Sequence, residues 1–132
     1  MIVAHAAAVL ERLDVALGAV PVYDGDVPNL PPYPYVVLWA GSTVRSSDRL
    51  TGQYVNAGSG FQTTCVGLSV AQVRAVRERV HTGLLDARLS VPGVQTARIK
   101  HEASPSPYAE LERDPTVFLA VDQWSTFSVP AY

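Results

Sequence analysis

Hydrophobic residues recur at helical spacing in two stretches of this chain, and alternate or run together between them. In the first stretch Ile2, Ala6, Leu10, Leu13 and Leu17 fall on one face, with Glu11, Arg12 and Asp14 mostly elsewhere. Gly18 follows, and glycine accepts the left-handed conformation in which many helices end. The pattern predicts a helix over residues 2–17. The second stretch, residues 60–87, organises the rest of the chain and reads GFQTTCVGLSVAQVRAVRERVHTGLLDA. Residues 61–68 are rich in β-branched and aromatic side chains and predict a strand. Ser69 with Gln72 three places on is a capping box: the serine oxygen accepts from a free amide of the first turn, and the glutamine reaches back. Behind it Val73, Val76, Val80 and Leu84 form an apolar face, with Arg74, Arg77, Glu78 and Arg79 on the other side. Valine is a mediocre helix former, so a helix carrying four of them (Val70 included) depends on packing against a sheet.

The remaining segments read as strands and connections. Val20–Tyr23 predicts a short strand, and Asp24-Gly25-Asp26 a turn. Two aspartates at that spacing can also hold a divalent ion, but the further oxygen ligands of such a site are missing. Pro28, Pro31, Pro32 and Pro34 fix an extended connector. Residues 35–40, YVVLWA, are apolar on both faces, which suits a strand covered on both sides or lying against another subunit. Residues 41–59 are polar, carry Gly41, Gly52 and Gly58, and are long for a hairpin connection. They predict a projecting β-hairpin arm between strands 35–44 and 59–68, with a solvated loop as the alternative. Pro92-Gly93 marks a turn. In residues 94–103, Ala97, Ile99 and Ala103 share one parity and Thr96, Arg98, Lys100 and Glu102 the other, a strand with one wet face. Residues 104–115, SPSPYAELERDP, read as an exposed loop. The last strand, residues 116–129, puts Val117, Leu119 and Val121 on one face and Phe118, Ala120 and Trp124 on the other. The expected fold is α+β: one two-layer domain over residues 1–132, with a mainly antiparallel four-stranded sheet, two helices on one face and the arm.

Composition narrows the function classes. Charged residues are 17%, below the usual ~25%, and hydrophobic residues are 48%. Such a chain fills its own core well or buries surface in an assembly. A net charge of −2 argues against a binder that holds nucleic acid by neutralising phosphates. Cys65 is the single cysteine, so no intramolecular disulfide forms. Glu11, Arg12 and Asp14 interrupt the apolar N-terminal stretch before ~20 residues accumulate, and no basic leader precedes it; neither a membrane span nor a secretory signal is expected.

Candidate chemistry is sparse. His5, His81 and His101 are scattered, without metal-ligand spacing. Cys65 lies in an apolar strand and reads as a small hydrophobe rather than a nucleophile. Gly58-Ser59-Gly60 precedes a strand, whereas a phosphate loop follows one, and no Walker lysine accompanies it. Asp122 is either a buried general base or, as we favour, an edge or interface aspartate paired to an arginine. Glu110, Glu112 and Asp114 form a solvated cluster in one loop. Arg74, Arg77 and Arg79 make a basic helix face, solvated with Arg74–Glu78 pairing or directed at DNA or an acidic subunit. No catalytic residue, cofactor site or metal ligand is assigned, and the chain is not expected to be an enzyme.

Taken in order, the segments resemble the tail terminator (tail completion, or minor tail) proteins of long, non-contractile-tailed bacteriophages, especially those infecting actinobacteria. The resemblance rests on the short N-terminal helix, PPYPYVVLW at 31–39, SSDRLTG at 46–52, QTTCVGLSVAQVRAVRERV at 62–80, and FLAVDQW at 118–124 after a charged loop. It covers most of the chain and lies in order and size rather than in one motif. It implies a small α+β protein that forms a homo-oligomeric, hexameric ring at the head-proximal end of the virion tail. Such a ring stops tube growth and presents the docking surface for the head-tail connector, while genomic DNA passes through its lumen without sequence-specific binding. It implies interface roles for Arg45, Asp48, Arg49 and Tyr54 in the arm, and for Tyr108, Glu110, Glu112 and Arg113 in the second loop. The alternatives are a head-closure or neck ring protein and, in another class, a small-molecule-binding α+β domain or small enzyme.

Overall fold

The computed structural model of the chain describes residues 2–29, 31–47, 54–89, 91, 94–111 and 116–130. Two helices form as the spacing predicts. Helix α1 spans Ile2–Leu17 and stops at Gly18, whose φ is +58° and whose N–H donates to the Asp14 carbonyl at 3.1 Å. Its buried stripe is Ala8, Val9, Leu13 and Leu17, while Leu10 is only half-buried. The stripe is rotated from the expected one because α1 packs on both the sheet and the second helix.

Helix α2 spans Val70–Leu84, and its cap is the expected one. The Ser69 hydroxyl oxygen accepts from the Gln72 N–H at 3.1 Å, and Gln72 Oε1 accepts from the Leu68 N–H at 2.7 Å. The glutamine thus reaches one residue beyond the cap itself. Val73, Val76, Val80 and Leu84 are buried, as predicted, together with Gly83.

Gly83 sets how closely the helices approach. A Cβ placed there would lie 2.5 Å from the Ala16 Cβ on α1. Arg12 of α1 also donates its Nε–H to the Gly83 carbonyl at 3.0 Å, satisfying a carbonyl in the last turn of α2. Replacing glycine by alanine inside a helix normally gains about 1 kcal/mol. Here the clash is with the first atom of a side chain, which no rotamer change relieves, and overpacking of this kind costs about 1–3 kcal/mol. Gly83→Ala is therefore expected to lower the urea midpoint with an unchanged m-value, a net loss of about 1 kcal/mol.

The sheet is wider than the sequence predicts. Among the described residues it has seven strands, ordered β1-β2-β3-β7-β4, with β5 and β6 also paired to β7. Strand β1 (Val22–Asp24) runs parallel to β2 (Tyr35–Ser47); β3 (Tyr54–Gly67) pairs antiparallel with β2 and with β7 (Val117–Pro130). Three short strands, β4 (Val94–Thr96), β5 (Lys100–Ala103) and β6 (Tyr108–Glu110), share the other edge of β7. The single strand expected over residues 94–103 is thus broken. At the break Ile99 turns away: its N–H donates to the Ala87 carbonyl at 2.8 Å, and its carbonyl accepts from the Asp86 N–H at 3.2 Å. This ties the edge to the end of α2 and buries Ile99. The expected exposed loop at 104–115 likewise contains β6, in register with Leu119, Phe118 and Val117.

Alternation divides the sheet into two faces. Val36, Leu38, Phe61, Cys65, Ala120 and Trp124 meet the helices in the main core. Tyr35, Val37, Val66, Val117 and Leu119 form a smaller core on the opposite face, covered by Tyr23, Val27 and Tyr33. The two-sided apolar strand at 35–40 is therefore covered on both faces by its own chain at its start, whereas Trp39 is 45% exposed. The arm exists as a ladder: Thr43 pairs with Ser59, and pairing continues to Ser47 with Tyr54. It is broader at its base than a hairpin, because β7 accompanies β3 as far as Ala57–Ser128 and β4 pairs beyond.

Candidate functional site

Asp122 lies on the helix-facing side of β7, two residues before Trp124, and its side chain is wholly buried. Facing it from α2 are Arg77 and His81, one helical turn apart and so on one side of the helix. From β5 comes His101, directly opposite Trp124 in the ladder. Arg77 donates its Nε–H to Asp122 Oδ2 at 3.0 Å, and an outer nitrogen to the carbonyls of Pro105 at 2.7 Å and Val121 at 3.0 Å. His81 Nε2 and His101 Nε2 each lie 3.0 Å from the same oxygen, Asp122 Oδ1. Burial pushes the Asp122 carboxyl upward, but hydrogen bonds from Ser104, Arg77, His81 and His101 outweigh it and hold the group below its ordinary value. A carboxylate so engaged stays ionised and is poorly disposed to act as a general base.

Aromatic rings floor the cluster. The His81 and His101 ring centroids are 4.7 Å apart, and both rings pack on Trp124, at 5.0 and 4.8 Å. Trp124 donates its indole N–H to the buried Thr63 hydroxyl at 3.0 Å and stacks on Phe61. Cys65 sits deeper. Its thiol is pushed up to about 12, chiefly by burial, with the Asp122 charge adding and Arg77 opposing. It stays a thiol at neutral pH and packs as a hydrophobe, as the sequence implied.

The expected arginine partner of Asp122 is therefore present, but the pair lies inside the domain rather than at an edge or interface. The basic face of α2 loses Arg77 to this pair, while Arg74 and Arg79 stay exposed. His81 and His101, which look scattered in sequence, are neighbours in space. Half of this was signalled: helical spacing of Arg77 and His81 and strand alternation through Asp122 and Trp124. The arrival of His101 was not.

The residues given interface roles are placed unevenly. Tyr108 and Glu110 lie on edge strand β6; Tyr108 is 51% exposed, and Glu110 is half-buried and engaged. Arg45 in β2 and Tyr54 in β3 lie on the arm ladder. Asp48, Arg49, Glu112 and Arg113 lie outside the described residues. A groove of about 760 Å³ runs between α1 and α2 and carries mixed charge from Glu11, Arg12, Glu78, Arg79 and Arg88. Among the described residues no helix is long and apolar enough to cross a membrane.

No protein-family model matches the sequence, and no curated protein matches it. Among solved structures, a chain described as "Virion of native gene transfer agent (GTA) particle" superposes with a TM-score of 0.67, covering 93% of each chain at 20% identity. This fold is shared with a virion chain. A second solved protein superposes with a TM-score of 0.56 at 15% identity, covering 98% of this chain and 93% of its own.

Proposed function

We propose that this chain is a structural protein of a phage-like virion and that it caps the tail tube. The observation that carries the reading is the superposition, over 93% of both chains, on a chain described as part of a gene transfer agent virion. The order of segments that resembles tail terminators adds the finer role. Surfaces support it as well. Beyond the small core, the sheet face away from the helices presents Trp39 and Phe127, each more than two-fifths exposed. Tyr108 and Leu111 stand exposed at and just beyond edge strand β6. Large apolar groups of this kind suit contacts between subunits.

On this reading the chain works by matched surfaces rather than by bond-making. Copies close head to tail into a ring. One ring face matches the last ring of the tube protein, and the other no longer copies it, so growth stops and the connector docks. The arm, with Arg45, Asp48, Arg49 and Tyr54, reaches a neighbouring subunit or the tube. The β6 segment and its flank, with Tyr108, Glu110, Glu112 and Arg113, face the tube or the connector.

Electron microscopy of particles made without the protein tests the role. Overlong or headless tails are expected; heads that leak DNA from intact tails would point to head closure instead. In the purified protein, Arg49→Ala with Tyr54→Ala should leave the melting temperature unchanged and abolish assembly onto tubes. Unaltered assembly would remove the arm from the mechanism.

A further inference from the structure

We infer that His81 Nε2, His101 Nε2 and Asp122 Oδ1 form a binding site for a divalent transition-metal ion, best matched by Zn²⁺. Two imidazole nitrogens aim at one carboxylate oxygen, each 3.0 Å from it. As a hydrogen-bonded arrangement it fills both lone pairs of that oxygen with imidazole N–H groups. As a ligand set it is ordinary. Zinc sits about 2.0–2.2 Å from imidazole nitrogen and carboxylate oxygen, so neighbouring ligand atoms stand roughly 3.0–3.5 Å apart. One ligand atom from each of the three residues lies within 4.8 Å of the others, a spread that one ion can gather by side-chain adjustment.

The surroundings fit the same assignment. Metal-bound carboxylates are usually held by a further hydrogen-bonding group, and Arg77 takes the second Asp122 oxygen at 3.0 Å. Trp124 walls the site on its inner side, against both imidazole rings. On the outer side the histidine side chains are 28% and 24% exposed, which leaves an entry path and room for water to complete the coordination. Nitrogen and oxygen donors without a thiolate favour Zn²⁺ over Mg²⁺ or Ca²⁺, which prefer all-oxygen sets. The ion would join α2, β5 and β7 at one point, a staple in a domain without a disulfide. The assignment does not depend on the virion role.

The test uses the full chain after chelator treatment. Adding Zn²⁺ should raise the melting temperature, and Co²⁺ should give visible ligand-field absorption without a thiolate charge-transfer band. His81→Gln and His101→Gln keep an amide donor for Asp122 while removing a good ligand. Each should fold without metal and bind Zn²⁺ weaker by more than the ~10–100-fold typical of losing an outer-shell partner. His5→Gln should bind as the parent does. Absence of both the Zn²⁺ shift and the Co²⁺ bands would leave a hydrogen-bonded cluster only and overturn the site. So would unchanged Zn²⁺ affinity in the glutamine variants, loss of binding in His5→Gln, or a thiolate band.

Discussion

Asp122→Ala is expected to lower folding stability by about 3 kcal/mol, read as a fall in the urea midpoint. The wholly buried carboxylate is the common acceptor for Arg77 and His81 from α2, His101 from β5 and Ser104 just after β5. Its removal leaves a guanidinium that is only 14% exposed without its counter-charge. Breaking a buried pair from one side costs about 3–5 kcal/mol, because the remaining charge is neither solvated nor compensated. The lower end applies here. Arg77 keeps the Pro105 and Val121 carbonyls, and the histidines, about a quarter exposed, can turn to water. Asp122→Asn keeps the shape but sets an amide N–H₂ against either Arg77 or the two imidazoles, so it should cost nearly as much. A loss below about 1 kcal/mol in both variants would show that the cluster does not hold α2 on β7. Against a typical total of about 5–15 kcal/mol, the expected loss is a large share.

Trp124→Ala should cost about 3–5 kcal/mol, by the same measurement. Trp124 is 2% exposed and touches both halves of the main core: Phe61 on the neighbouring strand, and His81 on the helix. Its loss removes a large apolar surface and leaves a cavity between layers that are fixed by the sheet and cannot collapse fully. Trp124→Phe separates the contributions. It keeps most of the packing but leaves the buried Thr63 hydroxyl without its indole donor, a cost of about 1–2 kcal/mol. Asp122 and Trp124 share His81 and His101 as partners, so the double variant should lose less than the sum of the single losses. Additive losses would mean that the rings on Trp124 and the hydrogen bonds to Asp122 act independently.

The width of the sheet illustrates why strand counts are hard to read locally. Residues 94–110 alternate weakly, and three short strands line one long partner there. Where each begins is decided by β7 and by the end of α2, which takes Ile99 out of the ladder through Ala87 and Asp86. The arm behaves oppositely. Its strands were visible because polar, glycine-spaced residues joined two apolar runs, and the pairing from Thr43–Ser59 to Ser47–Tyr54 follows from that continuity.

The sequence by itself determined the helices, the cap at Ser69, the stop at Gly18, the buried face of α2 and the antiparallel pairing about the arm. These depend on spacings of one to four residues or on chain continuity, and physics acts on them within the segment. Only the tertiary structure decided the grouping of Arg77, His81 and His101 on Asp122. Those contacts span 45, 41 and 21 residues of chain. No local propensity encodes them: a polar residue on an apolar strand face reads the same whether it meets water, a subunit or three donors from its own fold. The choice was made by register, since pairing β7 between β3 and β5 sets which side Asp122 faces, and the packing of α2 sets what it finds there.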